Sequence, residues 1–312
     1  MAYILSEINE RASKDPVAFI NECDKDYNEK IQKAASLIIK NMEKSPIVLL
    51  SGPSGSGKTT TAMKIEEELE RRGVQTHSIA MDNYFKTYVP GTLPITETGM
   101  PDWESPLYMD MELLNEHFSM LSRGERIYVP KFEFSRQMRV IKPSKTLQLK
   151  ENEIVIFEGI HALNDEITSR NPDAFKLYIS AYSNVVDDDY RLCFTGVWMR
   201  LCRRTVRDNL FRGANANHTL SMWPNVRRSE RRHIAPFVDK ADYIFDSSFP
   251  YEISIMKNFA PELFREIPET AADYEELEGI LPAFEKFVSI DPELLPASSL
   301  LREFIGGGIY EY

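Results

Sequence analysis

Cysteine is scarce: the 312 residues hold three, at Cys23, Cys193 and Cys202, widely spaced and with no C-x-x-C pair. That excludes a disulfide framework and a cysteine zinc site, and predicts reduced thiols in a cytoplasmic setting. No apolar run approaches the roughly 18 residues that span a bilayer. The opening MAYILSEINER is acidic and has none of the organisation of a signal peptide. Positive charge is also in deficit, with 37 Lys and Arg against 48 Asp and Glu, a net charge of −11. Such a chain has no overall attraction to nucleic acid or an anionic membrane, so any contact of that kind must come from a local patch. The five histidines show no H-E-x-x-H spacing, and neither a G-x-S-x-G elbow nor an N-K-x-D guanine-reading motif occurs. Zinc-peptidase and Ser–His chemistry therefore have no support, and a GTPase switch has little.

What is present is ordinary globular composition, 43% hydrophobic and 27% charged, sufficient for a core without staples. Residues 1–45 read as polar and helical, with Ile31, Ala35, Ile38 and Met42 forming one stripe. A different rhythm starts at Pro46. Ile47 to Leu50 is a buried strand, Ser51 to Gly57 a Gly/Ser loop, and Lys58 to Arg72 a helix stopped by Gly73. Further strands are expected over Val74–Met81, Ile154–Phe157, Phe175–Ser180 and Tyr243–Phe245. Buried runs alternating with helices predict an α/β fold whose mostly parallel sheet is covered on both faces. A long insert, 82–150, carries a candidate hairpin from Arg126–Pro130 and Arg139–Leu149. This divides the chain into an N-terminal helical extension (1–45), a central unit (46–250) and an acidic helical C-terminal extension (251–312) ending in three glycines and a frayed tail.

Gly52-Pro53-Ser54-Gly55-Ser56-Gly57-Lys58-Thr59 fits G-x-x-x-x-G-K-[ST] at every fixed position, between a strand and a helix. Glycines let the backbone curl so that successive N–H groups face phosphate oxygens, and the helix offers its positive end to the same anion. Lys58 reaches the β/γ-phosphates and the Thr59 hydroxyl suits Mg²⁺. At typical residue frequencies the pattern arises by accident in about one chain of this length in a hundred. Nucleoside triphosphate binding is thus expected through Gly52, Ser54, Gly55, Ser56, Gly57, Lys58, Thr59 and Thr60.

Asp82, just past the second strand, and Glu158, ending the third, both fall where open α/β sheets place ligand-facing groups. Asp82 suits proton abstraction or Mg²⁺, and Glu158 the Mg²⁺-holding position of a P-loop protein. The competing explanations are a loop or helix-cap residue for Asp82 and a solvated strand end for Glu158. His161 is near enough to Glu158 to line the same crevice. The segment 200–232 holds nine arginines against Asp208 and Glu230, a local balance of +7, with Arg200, Arg204 and Arg207 on one helical face. Guanidinium groups neutralise charge on a transferring phosphoryl group; an RNA patch or an exposed salt-bridged helix are the competing explanations.

Taken together and in this order, these stretches resemble the uridine kinase/phosphoribulokinase family of P-loop kinases over roughly residues 46–250. The matching runs are GPSGSGKTT, DNYF, Trp103-Glu104-Ser105-Pro106 with Asp110, PKFEFSRQMR, FEGI, and RLCRRTVRDNLFRG leading to KADYIFD. SMWPNVRRSE and LLREFIGGG are similar to a longer bacterial branch of uridine kinase-like proteins. The resemblance implies a P-loop NTPase three-layer sandwich with a small β-hairpin insert and an Arg-rich lid. It implies an ATP- and Mg²⁺-dependent kinase acting on a nucleoside 5′-hydroxyl, and a homo-oligomer. By position, Asp82 matches the catalytic base, Thr59 and Glu158 the Mg²⁺ residues, and Arg204, Arg207 and Arg212 the lid arginines. Glu104 matches an Asp that holds ribose hydroxyls, and Trp103, Phe134 and Ile160 wall the base pocket.

Four positions depart from the pyrimidine-kinase pattern: Phe132 replaces a Tyr, Gln137 a His, Ala214 an Arg and Met222 a Gln. A Gln137 amide still pairs with a pyrimidine edge, whereas Phe132 has no hydrogen bond to offer. Lost polar partners are where discrimination between analogues resides. The acceptor is therefore open between a ribonucleoside and another alcohol such as a sugar phosphate or polyol. A third reading is a nucleotide-binding regulatory or RNA-associated module without transfer.

Overall fold

A computed structural model describes residues 2–96, 99, 101–271 and 273–311. Its centre is a five-stranded sheet in the order β10-β7-β2-β6-β3, every neighbouring pair parallel. The strands are β2 (Ile47–Ser51), β3 (Gln75–Ala80), β6 (Glu153–Glu158), β7 (Phe175–Ser180) and β10 (Tyr243–Asp246), close to the runs expected from sequence. Apolar side chains fill both faces because the inner strands β2, β6 and β7 alternate between two cores. Val48, Leu50, Ile154, Ile156, Leu177 and Ile179 enter one, while Ile47, Leu49, Val155, Phe157 and Tyr178 enter the other. That is why these strands read as continuous hydrophobic runs.

The first core is roofed by α2 (Pro16–Asn41), α3 (Lys58–Arg71), α6 (Gly196–Phe211) and α7 (Ala216–Ser229). The stripe predicted on α2 is the buried one: Ile31, Ala35 and Ile38 are all under 5% exposed. Chain ends join the same core. Ile8 and Ala12 of α1 (Leu5–Lys14) pack there, as do Leu277, Phe284, Leu300 and Phe304 near the C-terminus. The tail, expected to fray, is held: the Ile309 amide donates to the Ala297 carbonyl at 3.1 Å and the Tyr310 hydroxyl to Glu67 at 3.0 Å.

The opposite core carries the acceptor-side insert. Here α4 (Met111–Ser122) and the antiparallel hairpin β4 (Ile127–Glu133) and β5 (Met138–Leu147) close over the sheet. A small second sheet was not foreseen: β1 (Ala2–Ile4) pairs in parallel with β8 (Asn184–Val186), which pairs antiparallel with β9 (Leu192–Phe194). Three-residue strands carry too little pattern to be recognised from sequence. All three cysteines are free and buried.

Candidate active site

The parallel register decides the geometry. Leu50 and Ala80 both lie opposite Glu158, so the loop after β2, the turn after β3 and the end of β6 open on one crevice. That crevice is a cavity of about 630 Å³ lined by Ser54 to Thr59, Asp82, Trp103, Glu104, Phe134, Glu158 and Ile160, with Arg207 and Arg212 at its edge. Fourteen sequence-predicted residues converge there. Gly52, Thr60, Phe132, Gln137 and Arg204 do not reach its wall, and neither does His161, which is fully buried with its charge suppressed by burial to a pKa of about 4. The expectation that His161 lines the crevice is thereby corrected: the chain turns after Glu158 and directs the imidazole into the packed interior.

The loop is built to face its amides inward. Its carbonyls are held from outside: Arg200 Nη1 donates to Ser54 O at 3.2 Å, Arg203 Nη1 to Gly55 O at 3.3 Å, and Ser247 Oγ to Ser56 O at 2.6 Å. With these carbonyls engaged, and the Ser56 amide donating to the Pro53 carbonyl at 3.3 Å, the other loop amides are left for an anion. Two glycines are required by contact. A Cβ on Gly52 would sit 2.0 Å from the Ile179 carbonyl, and one on Gly55 2.7 Å from the Arg200 carbonyl. Gly57 enters α3 in the left-handed conformation at φ 76°.

Lys58 projects into the cavity and donates to the Pro53 carbonyl at 3.2 Å; among the described residues no carboxylate pairs with it. Burial lowers its pKa while Glu158 pulls it upward. Burial also raises Asp82 against the pull of Lys58, and raises Glu158 and Glu104. Asp82 nevertheless keeps an exposed surface, while Glu158 and Glu104 are half-buried. Ser56 Oγ is buried with no partner. An unpaired ammonium, an orphan hydroxyl and inward amides fit a polyphosphate. Hard oxygen donors at Thr59 and Glu158, with Asp82 opposite, suit Mg²⁺.

The acceptor end is aromatic. Phe85 stacks on Trp103 at 5.8 Å, and Phe132 packs edge-on against Trp103, Phe85 and Phe134 at 5.5, 5.7 and 5.1 Å. Phe132 therefore braces the wall from behind. Gln137 takes a left-handed turn conformation at φ 51° and serves the turn through its carbonyl, which accepts from the Tyr88 amide at 2.9 Å.

The family model described as phosphoribulokinase/uridine kinase matches residues 47–253. The chain belongs to that family. It is an ATP-dependent kinase acting on an alcohol group, and the fold is a P-loop sandwich. Similar proteins include a uridine kinase of Bacillus pumilus, 29% identical over 219 residues, covering 69% of this chain and 92% of the relative. Another, the uridine kinase of Anoxybacillus flavithermus, is 30% identical over 208 residues, covering 65% and 87%.

Within this kinase, the arginine-rich segment differs from a displayed basic face. Arg200 pairs with Glu230 at 2.9 Å, Arg203 is fully buried against Glu252, and Arg204 and Arg212 share Asp208. Arg204 also reaches Ser54 Oγ at 2.9 Å. Arg207 pairs at 2.8 Å with Glu303, whose other oxygen accepts from the Thr60 hydroxyl at 2.6 Å. Glu303 also borders the cavity, although it lies outside the stretch the family model matches. It lies in the run LLREFIGGG, but its role depends on partners 96 and 243 residues away in sequence, which spacing along the chain does not disclose.

Proposed function

We propose that this kinase transfers the γ-phosphoryl group of ATP to the 5′-hydroxyl of a ribonucleoside-like acceptor. The observation that carries the reading is one cavity holding an unpaired Lys58 and inward amides at one end, an aromatic wall at the other, and Asp82 between them. The similarity to uridine kinases supports the acceptor class. Trp103 and Phe134 offer faces for a flat ring, and Glu104 accepts from vicinal hydroxyls beside it. Asp82 takes the proton as the acceptor oxygen bonds to the γ-phosphorus and the bond to the bridging oxygen of the diphosphate breaks. Lys58 and the Ser54–Thr59 amides hold the charge that builds on the phosphoryl oxygens, and Arg207 and Arg212 close from the rim. Thr59 and Glu158 would hold Mg²⁺, which supplies charge neutralisation between the phosphates.

Lys58→Ala and Asp82→Asn are each expected to cut turnover by at least ~10³-fold, since both act on the transition state. Asp82→Asn keeps ATP affinity within a few-fold. Wild-type-like turnover in Asp82→Asn would defeat the assignment. A panel of uridine, cytidine, purine nucleosides, sugar phosphates and polyols, read by ADP release, identifies the acceptor. Silence with every nucleoside and turnover with another alcohol would transfer the reading to that alcohol.

A further inference from the structure

A second cavity, of about 510 Å³, adjoins the first at the opposite side from the aromatic acceptor wall. Thr59, Arg207, Arg212 and Glu303 border both. Its remaining lining is Phe211, Arg302, Gly306, Gly307, Gly308 and Tyr310. All but Phe211 lie beyond the matched stretch, which ends at residue 253. We infer that this cavity receives the base and ribose of the phosphate donor, and that the C-terminal segment 302–310 is therefore part of the nucleotide site. The inference rests on the reading of the Gly52–Thr59 loop as a triphosphate cradle.

Direction comes first. A chain of three phosphates lying along the cradle has its reacting end toward Asp82 and its other end at the start of α3, where Thr59 opens onto the second cavity. The nucleoside continues there, because the other end of the first cavity is the aromatic end assigned to the acceptor. Composition agrees. Phe211 is 57% exposed although it ends a helix packed into the core, so much of its apolar surface is open to this cavity, with Gly306 against one edge of the ring. Stacking of a base on such a ring is favourable for every base.

Beside the ring the wall is bare backbone, since Gly306 and Gly307 hold φ of 85° and 73°, a conformation that side-chain-bearing residues avoid. Arg302 secures that backbone by donating to the Gly306 carbonyl at 3.3 Å, to Pro292 at 3.1 Å and to Leu295 at 2.8 Å. Arg207, paired with Glu303, and Arg302, held by backbone carbonyls, complete the polar side of the cavity. The flat bicyclic base of a nucleoside triphosphate suits the open surface of Phe211, with its ribose toward these polar groups.

Calorimetric titration of the full chain separates this inference from the reading beneath it. ATP and inorganic tripolyphosphate are the two probes, and Phe211→Ala, Tyr310→Ala and Lys58→Ala the three variants. Near-UV circular dichroism confirms that each variant is folded. The expected result is about a tenfold loss of ATP affinity in Phe211→Ala, the loss of one base–aromatic stack, and a smaller loss in Tyr310→Ala. Tripolyphosphate affinity stays unchanged in both, and Lys58→Ala weakens both ligands. Unchanged ATP affinity in both aromatic variants, or equal losses for ATP and tripolyphosphate, would overturn the inference and leave the cradle intact. Failure of wild-type protein to bind either probe would overturn the cradle as well.

Discussion

Asp82 is the residue at which the physics of the site is most exposed to measurement. Its carboxyl is raised by burial, with Lys58 the opposing influence. As the base it must be ionised, so turnover should fall as pH drops through a value above the ordinary aspartate range. A pH profile of kcat/KM whose acid limb sits at the unshifted value would show that Asp82 does not govern the rate. The same displacement makes a statement about stability. A carboxyl raised in the folded state stabilises the fold below its unfolded pKa, and that contribution is lost as pH rises through the folded value. At neutral pH the ionised Asp82 thus opposes folding, by a margin that solvent at its exposed surface keeps small. Asp82→Asn should abolish turnover while raising Tm, checked by calorimetry at pH 7 with pH 4 as control, where the gain should shrink. A function-bearing group that opposes stability is the usual trade at an active site.

Helix α6 shows why element-level charge counts mislead. Read as a string, its arginines form a basic face; folded, they serve as braces. Arg203 is fully buried, donates to Glu252 Oε2 at 2.7 Å, and also holds the carbonyls of Gly55 and Ser247. Removing one partner of such a pair leaves an uncompensated charge in the interior and costs about 3–5 kcal/mol. Glu252→Ala should therefore lower the unfolding free energy obtained from urea denaturation by that amount, and it should also weaken ATP binding, since Arg203 anchors the phosphate loop from behind. A stability loss below 1 kcal/mol would contradict the role given to the pair. At the mouth of α3, a methyl group on Gly57 would meet Leu300 at 2.7 Å and force a left-handed residue. Gly57→Ala should cost about 1–2 kcal/mol from backbone strain, with a larger fractional loss in ATP affinity than in stability.

At the scale of the molecule, the flanking segments and the central unit share one core. Phe19, Ile20, Tyr27, Ile31 and Ile38 of α2 are each under 5% exposed, worth about 1.5–3 kcal/mol apiece. Their sum is on the order of 10 kcal/mol, comparable to the whole stability of a domain. A chain cut to residues 46–250 should accordingly fail to fold, with lost near-UV dichroism and strong binding of a hydrophobic dye; a cooperative thermal transition in that fragment would refute the shared core.

The sequence by itself determined what depends on neighbours: the phosphate loop, the five strands of the main sheet, the hairpin and the stripe on α2. These follow from local spacing, because turn conformation and hydrophobic period are properties of contiguous residues. Only the tertiary structure decided which carboxylate each arginine meets, that Phe132 and Gln137 support the acceptor wall instead of lining it, that His161 turns inward, and that Glu303 and the terminal glycines border the cleft. Those outcomes join residues far apart in the chain, and electrostatic partnership depends on distance in space, on which linear order is silent.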